Sequence, residues 1–195
     1  MKYLLMLFAF ATAFSAMAQN GILPKNIQIK TALLSAPETY REGATVLGYN
    51  EEGKLITLRE GNNQMVCLAD DPKSEGISVA CYGAKLEPFM ARGRELVAEG
   101  KTLIEKQEIR KREIESGLLT MPTEPSMVYI LTGDEKDYSV ETGELLKSAM
   151  RYVIYKPYMT GESTGLPTKP QAPGMPWLMD AGTHRSHIMI TPANK

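Results

Sequence analysis

Cysteine, histidine and tryptophan are scarce in this chain: two, two and one among 195 residues. The cysteines lack the Cys-x-x-Cys spacing that tunes a redox-active thiolate, which argues against a thiol oxidoreductase. With two histidines, His184 and His187, imidazole catalysis or imidazole metal ligation has only those candidates. An excess of positive charge is missing too. Lys and Arg number 22 against 23 Asp and Glu, so nucleic-acid binding has no electrostatic support. After the first eighteen residues no apolar run approaches the roughly 20 residues needed to cross a bilayer, so no membrane span is expected.

The chain's start is different. Met1 and Lys2 precede an almost unbroken apolar run over residues 3–14, and Ser15-Ala16-Met17-Ala18 ends in the Ala-x-Ala pattern cleaved by signal peptidase. The expectation is a signal peptide over 1–18 and a mature chain, 19–195, that forms a single α+β domain in the periplasm or outside the cell. Loss of Lys2 with the signal takes the net charge from −1 to −2.

Export changes how Cys67 and Cys81 are read, because an oxidising compartment favours a disulfide. Residues 64–69 and 77–82 are rich in Met, Val, Ile and Tyr and flank the turn-forming Asp70-Asp71-Pro72-Lys73-Ser74-Glu75-Gly76. A hairpin symmetric about Ser74 sets Cys67 and Cys81, each seven residues away, directly opposite one another. Opposed antiparallel residues lie within disulfide range, so a Cys67–Cys81 bond is expected, pinning strand register.

Strand-like runs at 44–49 and 54–59 precede this hairpin, and four strands in succession with short turns predict an antiparallel meander. Residues 25–34 are ambiguous between strand and helix. Pro88 then opens one long helix ending near Ser116-Gly117, with apolar pairs at Phe89/Met90, Leu96/Val97 and Leu103/Ile104. Gly93 and Gly100 fall on the same face, where close approach to the sheet would account for them; the charged residues 105–115 read as a solvated extension. Further strands are expected at 127–132, 150–155 and 188–190, and a short helix at 140–148 capped by Ser139. The fold class expected is α+β: an antiparallel sheet, one long helix packed on it, and a Pro/Gly-rich loop over 156–176 whose apolar end, Met175-Pro176-Trp177-Leu178-Met179, docks on the core.

Motifs suggesting catalysis are weak. Gly161-Glu162-Ser163-Thr164-Gly165 matches a nucleophile elbow, but Pro167 and Pro170 stand where its helix should run. Gly100-Lys101-Thr102 resembles the end of a phosphate loop, yet Glu95 replaces the first glycine. Asp180, His184 and His187 form a two-His, one-carboxylate set that binds zinc or iron if the geometry converges. Arg92 and Arg94 could clamp an anion, and Trp177 could stack on a ligand or anchor its loop.

The residues Cys81-Tyr82, Pro88-Phe89-Met90-x-Arg92-Gly93-Arg94-Glu95-Leu96, Gly100-Lys101, Pro176-Trp177-Leu178-Met179 and His187-Ile188-Met189 resemble a set of uncharacterised exported bacterial proteins. The resemblance implies export and assigns no activity; it groups Arg92, Arg94, Trp177 and His187 as residues to test together, and leaves out His184 and Asp180. The reading is a secreted or periplasmic non-catalytic binding module, with an unknown small molecule or envelope protein as partner and no cofactor. The alternative is an exported hydrolase or metal enzyme using His187, His184 and Asp180.

Overall fold

The computed structural model describes residues 21–193; the expected signal peptide lies outside them. Helix α1 (Lys25–Leu33) and the single turn α2 (Glu38–Arg41) lead into β1 (Thr45–Tyr49), β2 (Leu55–Arg59), β3 (Met65–Leu68) and β4 (Ile77–Gly83). Helices α3 (Glu87–Ala98) and α4 (Leu103–Glu115) follow, then β5 (Ser126–Gly133), β6 (Ala149–Tyr155), the single turn α5 (Gly161–Thr164), β7 (Trp177–Met179) and β8 (His187–Ile190). The strands form one eight-stranded, mostly antiparallel sheet in the order β2-β1-β3-β4-β5-β6-β8-β7. The class is α+β.

The expected meander is broken at one point. β3 does not pair with β2; it pairs with β1, and in parallel. The connection over residues 60–64 wraps around the start of β1, where the Gly43 carbonyl accepts the Asn62 and Asn63 N–H groups at 2.8 and 3.0 Å. Gly61 permits this, since a Cβ there would strike the backbone of Ala44 and Thr45.

The Cys67–Cys81 disulfide joins β3 to β4 in the expected register, with Cα atoms 4.0 Å apart. It lies in the core on the sheet face covered by α1, where Ala32 and Ala36 pack with Val46, Met65 and both cysteines. Ser35 Oγ donates to Ala32 C=O at 3.0 Å and contacts Cys81 Sγ at 3.1 Å. Residues 25–34 are thus settled as helix, and the buried Gln28 fastens it to β1: its amide N–H donates to Tyr49 C=O and its amide oxygen accepts Tyr49 N–H, both at 2.8 Å.

On the opposite face a row of paired residues, Val66, Tyr82, Val128, Val153, Met189 and Trp177, runs across five strand pairings. Leu86 and Phe89, nearly without solvent exposure, begin the helical cover over this face. That cover is two helices, not the single long one expected. α3 ends in a Schellman motif: Gly100 is left-handed (φ +76°), with Lys101 N–H on Leu96 C=O and Gly100 N–H on Val97 C=O. Thr102 then caps α4 in a reciprocal box with Glu105. The break leaves Leu103 and Ile104 exposed, whereas the uninterrupted pattern would have buried them. The helix expected at 140–148 is also absent; this segment is a turn closed by a Tyr138–Leu145 bridge. Between β6 and β7 the Pro/Gly-rich stretch carries α5, and β7 adds a strand at Trp177 that composition did not reveal.

Replacing Cys67 and Cys81 together by Ala should cost about 3 kcal/mol through the freed loop. Thermal unfolding should show this as a fall in Tm of about 6–12 °C.

Candidate functional site

Of the residues singled out by sequence, His184 and His187 fall where β6, β8 and the 180–186 loop meet α3 and α4. Tyr155 of β6 and His187 of β8 are cross-strand partners, and their rings stack with centroids 4.8 Å apart. Phe89 of α3 packs on Tyr155 at 6.0 Å and meets His184 edge-on at 6.3 Å. From α4, the Arg110 guanidinium lies over the Phe89 ring, 3.9 Å from its centroid. Gly93 leaves space for it, since a Cβ there would stand 3.0 Å from Arg110 Nη1.

Ser186 secures the loop below. Its fully buried hydroxyl donates to Lys156 C=O at 2.6 Å and accepts Met159 N–H at 2.9 Å. Tyr158 N–H to Thr183 C=O (2.8 Å) and Gly182 N–H to Met159 C=O (2.7 Å) add two more ties. His187 donates Nδ1–H to Arg185 C=O at 2.8 Å, which fixes its neutral tautomer. Burial lowers the pKa of His187 and, aided by the Arg185 and Arg110 charges, that of His184.

The structure separates the other candidates. Arg92 is shared among Glu113 (2.9 Å), Glu95 (3.1 Å) and Glu99 (3.2 Å), so it ties α3 to α4 with its guanidinium occupied. Arg94 pairs with Glu87 at 2.6 Å and donates to Tyr82 Oη at 2.9 Å. Arg92 thus serves the α3–α4 junction and Arg94 the junction of α3 with β4, and neither is left open as an anion clamp. Asp180 pairs with Arg185 at 2.9 Å, His184 packs on Phe89 and His187 Nδ1 is on a carbonyl. These three do not converge, and among the described residues no group of three or more His, Cys, Asp or Glu side chains is placed to hold a metal ion. Ser163, the serine of the elbow-like motif, caps α5: its Oγ accepts Thr160 N–H at 3.0 Å and donates to Thr160 C=O at 3.1 Å.

Trp177 borders a different feature. A cavity of about 350 Å³ opens between the Pro/Gly-rich stretch and the chain after β8, with Pro170, Pro173, Met175, Trp177, Thr191 and Pro192 among its walls. A bond from Gly174 N–H to Thr191 C=O (2.9 Å) holds the two walls together. Leu178 N–H, on the outer edge of β7, is taken by Pro167 C=O at 2.8 Å. A second, smaller cavity of about 40 Å³ lies beside α1 among Gln28, Thr31, Tyr49, Asp70 and Tyr138. Burial there raises Asp70 to about 6.

Sequence reasoning missed Arg110 because it lies in a charged run that reads as solvated; only the position of Gly93, one face away on the preceding helix, hinted at a close neighbour. Tyr155 and Phe89 were visible only as core residues. No family model, curated protein or solved structure matches the chain.

A histidine whose pKa is lowered on folding stabilises the fold above its unfolded pKa of about 6.5 and loses that contribution as pH falls through its folded value. His187→Phe keeps the ring stack and removes the titration. The stability advantage of the native protein over this variant should therefore shrink between pH 7 and pH 5 when Tm is followed across that range.

Proposed function

We propose that the chain is an exported, non-catalytic binding module that seats a small molecule in the cavity beside Trp177. The observation that carries this reading is the cavity itself: about 350 Å³, within the range of ligand pockets, walled by an indole, a thioether and prolines. Such walls offer flat apolar faces at low entropic cost, because proline is already rigid and Trp has few rotors. The Pro/Gly-rich stretch is long for a connection between two strands, and loops of that length in compact domains are commonly functional.

The occupied state of the polar side chains supports a binding role over a catalytic one. Arg92, Arg94 and Asp180 are each committed to an ion pair, and Ser163 to a helix cap. The internal disulfide and the resemblance to exported bacterial proteins support the periplasm or the extracellular space as the compartment.

Trp177 is the chain's only tryptophan, so emission excited at wavelengths where the nine tyrosines do not absorb reports on this cavity. Titration of the purified protein with a panel of sugars, envelope metabolites and lipids should give a saturable change in emission for at least one class. Trp177→Ala should then weaken that ligand tenfold or more, read by calorimetry. A panel without any fluorescence response, or a hit whose affinity ignores Trp177→Ala, would sink the small-molecule reading.

A further inference from the structure

We propose that Arg110 and His184 form an anion site for a small carboxylate, which the Nε edge of the guanidinium and the imidazole Nε2 would grip together. Both side chains are more than nine-tenths buried, at 7% and 6% exposure. Both pack on the same ring, Phe89. Arg110 Nε and His184 Nε2 are also the two buried side-chain nitrogen or oxygen atoms without a hydrogen-bond partner among the described residues. The two orphans thus border one phenyl ring, Arg110 at its face and His184 edge-on.

The character of the orphans identifies what is missing. Arginine has donors only and cannot shed its proton, so its charge persists when buried. Its Nη1 gives one long bond, 3.3 Å, to Phe89 C=O, and the ring face adds a cation–π contact. Neither supplies negative charge, and a buried cation without a counter-charge is costly. His184 presents Nε2–H in one of its neutral tautomers and so adds a second donor. Two donors and a positive charge call for an acceptor-only anion, and the side edge of a guanidinium matches the two oxygens of a carboxylate.

Carboxylates of the chain itself do not fill the role. Glu113 is held by Arg92 at 2.9 Å and Asp180 by Arg185 at 2.9 Å. Glu115 acts on His184 against Lys111, and Glu113, while bound to Arg92, acts on Arg110 only through space. Besides burial, Arg110 and Arg185 push Lys106 downward, and Arg185 does the same to Arg110 against Tyr155 and Glu113. The slight residual exposure limits entry to a small anion. None of the residues walling the Trp177 cavity takes part, so this site stands or falls separately from that one.

The test uses nitrogen NMR of the purified protein, following the Arg110 Nε–H and His184 imidazole resonances while sodium acetate is titrated against sodium chloride at matched ionic strength and fixed pH. Both resonances should move along saturating curves with one shared Kd. At acetate several times that Kd, Tm should rise by about 2–4 °C over the chloride control. Arg110→Met keeps a flexible stem over Phe89 and removes the buried cation; it should fold with Tm unchanged or raised, and lose acetate affinity at least tenfold. Resonances that follow acetate no further than chloride would overturn the proposal. So would saturation by inorganic phosphate with no response to acetate, or an Arg110→Met protein that binds acetate as tightly as the native one.

Discussion

Register at the β3–β4 pair is the constraint on which the rest depends. The Cys67–Cys81 cross-link fixes those two residues opposite each other and turns both toward α1. Because side chains alternate along a strand, their neighbours Val66 and Tyr82 must then face α3, and each later pairing passes the alternation on, to Val128, Val153, Met189 and finally Trp177. Tyr155 and His187, two residues along their strands from Val153 and Met189, emerge on that same face. A slip of one residue at the disulfide would turn Val66 of β3 toward α1 and break the row where it begins, between β3 and β4.

Charge is distributed unevenly over this scaffold. Arg92 is served by three carboxylates, Arg94 by one carboxylate and a phenol, and Arg185 by Asp180. Arg110, more buried than any of them, has a ring and a carbonyl. Exposed ion pairs add little to stability; of these, Arg92–Glu113 alone joins α3 to α4 and so helps hold Arg110 over Phe89. Partly buried Arg92 and Glu113 form the inner member of that set.

Local pattern made much of the sheet legible. Seven of the strands and the disulfide follow from runs of β-branched and aromatic residues between turn residues, because those signals act over a few positions. The order β2-β1-β3 is not a local property; it depends on Gly61 slipping past the start of β1, which no periodicity records. The helical cover was misread for a specific reason. Gly100 and Thr102-x-x-Glu105 are a stop and a start in adjacent positions, yet the seven-residue recurrence of apolar pairs spans them and suggests continuity. At the site, residue type drew attention to Arg92, Arg94 and Asp180, which the folded chain neutralises internally, and away from Arg110, whose importance comes from what surrounds it.

The two ends of the sheet are unlike. At β7 the outward N–H of Leu178 already has an acceptor in Pro167, and proline itself has no N–H to offer a newcomer. At β2 no described strand occupies the outer side. An edge whose outward N–H is already taken offers one donor fewer to an added strand, so among the described residues β2 is the more open of the two margins for strand-to-strand association.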